Sequence, residues 1–83
     1  MKIDVLYFAW LRERIGLGSE RIETQAKTVA DLVTELRARE ERYDLAFSDM
    51  ASVRVAIDQE LSELSASLED AREVAFFPPM TGG

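Results

Sequence analysis

Eighty-three residues, 47% of them hydrophobic and 31% charged, describe one globular domain with a modest core rather than a disordered segment. The chain has no cysteine and no histidine, which excludes disulfides, thiolate nucleophiles, Ser-His and Cys-His pairs and the usual near-neutral general base, so it is read as not an enzyme by itself. A net charge of −6 argues against nucleic-acid binding, which draws its affinity from neutralised phosphates, and fits docking on basic or apolar partner surfaces.

Residues 2–8, "KIDVLYF", read as a strand rich in β-branched and aromatic side chains. The apolar run "VLYFAWL" within and after it is too short to span a membrane and is bracketed by charge; no membrane partner is expected, and the chain is read as cytoplasmic. "LRERIGLG" predicts a short helix that Gly16 ends, and "ERIET" a second short strand. From Thr28, the residues Val29, Leu32, Val33 and Leu36 fall on one helical stripe, with Thr28 as N-cap and Asp31 at the capping-box position. Glu35 and Arg39 are spaced for an i,i+4 ion pair, and the helix is expected to fray within "REERYD". Residues 53–57, "VRVAI", alternate as a strand that turns at Asp58-Gln59-Glu60, and residues 73–77, "EVAFF", form the last strand. This order predicts an α+β fold, a mixed sheet packed on one main helix.

A single helix covers one sheet face. Parity places Ile3, Val5, Tyr7, Val53, Val55, Ile57, Val74 and Phe76 on that face. The opposite face receives Lys2, Asp4, Arg54, Asp58 and Glu73, as solvent would require, but also Leu6, Phe8, Ala56, Ala75 and Phe77. If the first and last strands are neighbours, Phe8 and Phe77 form an exposed apolar patch of the kind that marks a partner site.

Pro78 and Pro79 lack an N–H, so sheet pairing must stop after Phe77 and the chain must leave the domain stiffly extended. Met80, Thr81, Gly82 and Gly83 then reach roughly 13–14 Å further, far enough to enter a slot in another protein. Glycines let such a slot close tightly around them. The terminal group would be a carboxylate, ionised at neutral pH and a poor electrophile until activated, for instance as an acyl adenylate. This tail fits a carrier whose own terminus reacts.

Other constellations carry less. Ser62, Ser65 and Ser67 have no accompanying base and read as loop residues. Glu40-Glu41 and Glu69-Asp70 lack a Ca²⁺-loop spacing, and no metal site is expected. "GLG" at residues 16–18 lacks the rest of a dinucleotide fingerprint and reads as a turn. Arg12 and Arg14 read either as a solvated helix face or as contacts to acidic groups of a partner.

The opening "VLYFAWLRERIG", the helix "TVADLVTEL", the strand "VAIDQEL" and above all the ending "REVAFFPPMTGG" resemble the small subunits of molybdopterin synthase, over nearly the whole chain. These are sulfur carriers of the ubiquitin-like β-grasp fold. The resemblance implies a folded domain over residues 1–78 and a flexible diglycine tail over 79–83. It implies that an ATP-consuming, ubiquitin-activating-like enzyme adenylates the Gly83 carboxylate and that a sulfur-donor protein converts it to a thiocarboxylate. Met80, Thr81 and Gly82 would thread into the large synthase subunit, in a two-plus-two heterotetramer. There Gly83 would give its sulfur to the dithiolene of molybdopterin, with the catalytic groups on the large subunit and no cofactor held by this chain. Phe8, Leu61, Phe77, Pro78, Pro79 and Arg12 would make the partner face, Leu61 from the loop after "VRVAI". Three positions depart from the family pattern: Ala71, Arg72 and Met80. Asp70-Ala71-Arg72-Glu73 replaces Asp-Gly-Asp-Glu, where Ala71 would resist a positive φ, and Met80 replaces a commoner Val. The rival readings are a carrier for thiamine thiazole synthesis, a ubiquitin-like protein modifier, and an interaction domain with an idle tail.

Overall fold

The computed structural model describes residues 1–79. Five strands form one mixed sheet: β1 (Lys2–Tyr7), β2 (Ser19–Glu23), β3 (Arg54–Ile57), β4 (Glu60–Ser62) and β5 (Glu73–Phe77), in the order β2-β1-β5-β3-β4. β1 and β5 are both interior strands and run parallel, with Val5 opposite Val74 and Tyr7 opposite Phe76. All other pairings are antiparallel.

Three helices cover one face, where the sequence predicted one main helix. α1 (Ala9–Ile15) buries Leu11 and Ile15 and ends at Gly16, whose φ of 86° suits glycine and whose N–H donates to the Arg12 carbonyl. α2 (Val29–Arg39) buries the predicted stripe of Val29, Leu32, Val33 and Leu36, and the Thr28 hydroxyl accepts from Asp31 N–H at 3.2 Å. The segment expected to fray is instead α3 (Glu41–Ala46). Glu40, extended at φ −154° and ψ 156°, closes α2 and opens α3, and Tyr43, Ala46 and Phe47 then fall into the core.

The covered-face parity holds. Ile3, Val5, Tyr7, Val53, Val55, Val74 and Phe76 are buried, and Ile57 packs partly buried against them. Phe76 belongs to an aromatic cluster centred on Tyr7 and lies 5.0 Å from Phe47 edge-on and 6.3 Å from Tyr7 stacked. Tyr7 and Tyr43 bring polar tips with them. Both hydroxyls donate to one oxygen of Glu20, at 2.8 and 2.7 Å, so the buried carboxylate edge has partners and ties β2 to α3. Burial first, and the Glu20 hydrogen bond second, push both phenols above their ordinary range, Tyr43 up to about 12.

Two local expectations are corrected. Glu35 and Arg39 do not pair along their helix: Glu35 accepts from the Thr24 hydroxyl and the Gln25 N–H, while Arg39 reaches Glu20 at 3.6 Å. The loops that pack against α2 outcompete a solvated i,i+4 pair worth only a few tenths of a kcal/mol. The positive φ near the last strand falls on Asp70, at 62°, rather than on Ala71, which is buried. Aspartate tolerates that region better than alanine.

Candidate functional site

Strand register decides what the uncovered face looks like. Leu6 of β1 lies opposite Ala75 of β5, Ala75 opposite Ala56 of β3, and Ala56 opposite Leu61 of β4. One apolar row therefore crosses four strands, low in the middle where the alanines sit and raised at both ends by leucines. Leu61 is not in a loop, as the sequence suggested, but in a three-residue strand too short to show alternation. It is 76% exposed.

Phe8 and Phe77 form the next row. Phe8 N–H donates to the Phe76 carbonyl at 3.0 Å, which extends the β1–β5 pairing by one step and sets Phe8 beside Phe77 on the open face. Phe8 then takes an extended conformation and serves as the N-terminal residue of α1, leaving its ring 48% exposed. Phe77, Pro78 and Pro79 are half-buried at the point where the chain leaves the sheet. The apolar rows and the tail exit thus share one end of one face. Side chains of this size left open on an otherwise well-filled domain mark an interaction surface.

Cations flank this end although the chain is acidic. Arg12 sits one helical turn after Phe8 and is exposed; its guanidinium packs over Gly18, where a Cβ would come within 3.2 Å of it. Arg54 lies opposite Phe77 and donates to the carbonyls of Ala51 and Val53. Neither makes an ion pair among the described residues. Sequence reasoning assigned Arg54 to solvent and missed its place beside Phe77; the pairing of β3 with β5 would have revealed it.

The opposite end of β5 from the exit is also held. The β3–β4 hairpin turns on Asp58 and Gln59, both left-handed at φ 49° and 71°. The Asp58 carboxylate accepts from the N–H groups of Arg72 and Glu73, at 3.0 and 2.9 Å, and so fixes the start of β5. No group of three or more metal-ligating side chains occurs among the described residues. No helix among them is long and apolar enough to cross a membrane. Met80, Thr81, Gly82 and Gly83, the proposed threading and reacting residues, lie outside the described residues.

A hairpin-like β1–β2 pair, a helix crossing the sheet, a central parallel β1–β5 pair and a short β3–β4 hairpin define a ubiquitin-like β-grasp domain. Relatives share this fold. Residues 5–83 match the ThiS family, and the chain belongs to it. It is 38% identical to the molybdopterin synthase sulfur carrier subunit of Escherichia coli, over 98% of this chain and 99% of that one. A solved Pyrococcus furiosus structure, described as a putative molybdopterin converting factor, subunit 1, superposes with a TM-score of 0.76 at 29% identity, covering 96% and 99% of the two chains. The fold also matches a chain in a complex of subunits 1 and 2 of the molybdopterin-converting factor from Helicobacter pylori, with a TM-score of 0.64, 21% identity and both chains fully covered.

Proposed function

We propose that this chain is the sulfur-carrier subunit of a molybdopterin synthase and that the Gly83 carboxylate is its reacting group. The carrying observation is the coincidence of the open apolar face with the chain's exit at Phe77-Pro78-Pro79. A partner that grips Phe8, Phe77 and Leu61 also receives whatever follows Pro79. Kinship to the Escherichia coli carrier supports the same reading.

The chemistry balances without any catalytic side chain in this domain. A carboxylate oxygen of Gly83 attacks the α-phosphorus of ATP on an activating enzyme, pyrophosphate leaves, and an acyl adenylate forms. The terminal sulfur of a donor protein's persulfide then attacks the acyl carbon and AMP departs, leaving an acyl disulfide. A second thiol attacks the donor's inner sulfur, which becomes a mixed disulfide and releases the thiocarboxylate. On the large synthase subunit that sulfur attacks a carbon of the pterin precursor and displaces an oxygen-linked leaving group. Water then hydrolyses the resulting thioester, leaving the sulfur on the precursor and returning the carboxylate. The large subunit supplies the acid, base and phosphate-binding groups, and two copies of each subunit assemble. This chain supplies position: Phe8, Leu61, Phe77, Pro78, Pro79 and Arg12 dock, while Met80, Thr81 and Gly82 thread.

Intact-mass measurement on the chain purified from its native host tests the proposal. A carrier shows a fraction with one terminal oxygen replaced by sulfur. Conjugates on lysines of other proteins, with no thiocarboxylate, would instead establish a modifier.

A further inference from the structure

We propose that the outer edge of β2 is a self-association surface, on which a second copy of this chain pairs antiparallel about a two-fold axis at Ile22. β2 is an edge strand, bonded to β1 on one side. Its main-chain groups are sorted by the ladder. Tyr7 N–H donates to the Gly18 carbonyl and Thr24 N–H to the Met1 carbonyl, so Gly18, Glu20, Ile22 and Thr24 turn their backbone toward β1. Ser19, Arg21 and Glu23 turn theirs outward, and no backbone partner for them occurs among the described residues. An edge of this kind is a template for another strand.

The sequence of the edge selects the occupant. In an antiparallel pair the outward residues must face outward residues, so a two-fold axis falls on a residue and the possible registers are few. An axis at Glu20 opposes Glu20 to its own copy, one at Arg21 opposes Arg21 to its copy, and one at Glu23 opposes Glu23 to its copy. Like charges directly opposite are unfavourable. Only an axis at Ile22 sets Arg21 against Glu23 twice, once on each side. In β2 the triplet Arg21-Ile22-Glu23 is thus complementary to itself under two-fold rotation, as an isologous interface requires.

The monomer's own pairing extends the pattern. Arg21 already stands opposite Asp4, with the two side chains 3.4 Å apart, and Glu23 stands opposite Lys2. All four side chains are on the open face, so pairing two copies creates two rows that alternate in sign: Lys2, Glu23, Arg21, Asp4, the last two from the second copy. A groove of about 560 Å³ runs along the same edge between β2 and α2, lined in part by Arg21, Glu23, Glu35 and Arg39. It leaves room for a neighbouring strand and presents both signs of charge to it. β2 and β4 are opposite edges of the sheet, so self-pairing leaves Leu61 and the tail exit free.

Charge reversal tests the register. Sedimentation equilibrium of the full-length chain, run from micromolar to millimolar concentration, should show a monomer–dimer equilibrium that weakens as salt rises. Arg21→Glu and Glu23→Arg should each weaken it about tenfold, because two attractive cross-strand pairs become repulsive. The combined swap, Arg21→Glu with Glu23→Arg, should restore dimerisation, since its edge is again self-complementary. Circular dichroism checks that each variant stays folded. A wild-type chain that remains monomeric throughout would overturn the proposal. So would single reversals that dimerise normally, or a double swap that fails to recover. Amide exchange gives an independent readout: Arg21 and Glu23 should gain protection as concentration rises, and protection confined to β4 or to Phe8 would also overturn it.

Discussion

Phe76 and Phe77 are adjacent in sequence and opposite in role, and substituting each separates the core from the docking face. Phe76 is fully buried, stacked on Tyr7 and set edge-on to Phe47 at 5.0 Å. Phe76→Ala removes the ring from all of these contacts at once, a loss of about 3–5 kcal/mol. An 83-residue domain holds a total of about 4–12 kcal/mol. Urea unfolding should therefore show a midpoint lowered by about 3 M or more, at an m-value near 1 kcal/mol/M, or no folded baseline at all. Phe77→Lys instead leaves the lysine stem lying along the open face with its ammonium in water, at a cost of about 1 kcal/mol or less. Its effect falls on affinity for the large synthase subunit, measured by calorimetry, which should drop about thirtyfold or more if Phe77 anchors the interface. Unfolding by Phe77→Lys, or undiminished binding, would refute the assignment of faces. A Phe76→Ala protein of nearly wild-type stability would refute the account of the core.

Three further outcomes follow from particular contacts. Asp58→Ala deprives the Arg72 and Glu73 amides of their acceptor and should cost about 1 kcal/mol, seen as a Tm lower by about 4–8 °C, while Asp58→Asn keeps an acceptor oxygen and recovers part of the loss. Gln59 holds a φ of 71°, so Gln59→Gly should raise stability in urea by about 0.5–1 kcal/mol. In alkali, the raised tyrosine values set the sign. Because the folded state favours the neutral phenol, the stability it contributes is complete below the ordinary value of 10.0. It is lost as pH rises through about 12 for Tyr43, with Tyr7 raised as well. Phenolate absorbance and circular dichroism should change together in that range; tyrosines that ionise near pH 10.0 in a still-folded protein would contradict the Glu20 network.

Much of this domain was legible because its central strands alternate cleanly. Ile3, Val5 and Tyr7 announce a covered face, and the leftover Phe8 and Phe77 announce an open one, before any pairing is known. The Thr28 cap and the four-residue apolar stripe of α2 are equally local signals. What the sequence hid depends on contacts between distant segments. α3 has only Tyr43, Ala46 and Phe47 to bury and follows α2 after a single extended residue, so it resembles a fraying end. β4 exists through its pairing with β3 rather than through its own three residues, which is why Leu61 looked like a loop residue. Glu35 and Arg39 found partners in Thr24 and Glu20, more than ten residues away in sequence, and no periodicity within one helix reports that.

The reacting end is tested most directly by blocking it while the docking face stays intact. A chain extended by one alanine after Gly83 should bind the large subunit with unchanged affinity yet yield no thiocarboxylate and no molybdopterin in a reconstituted system of activating enzyme, ATP, sulfur donor and large subunit. Molybdopterin formed by the extended chain at the wild-type rate would contradict the claim that the Gly83 carboxylate carries the sulfur.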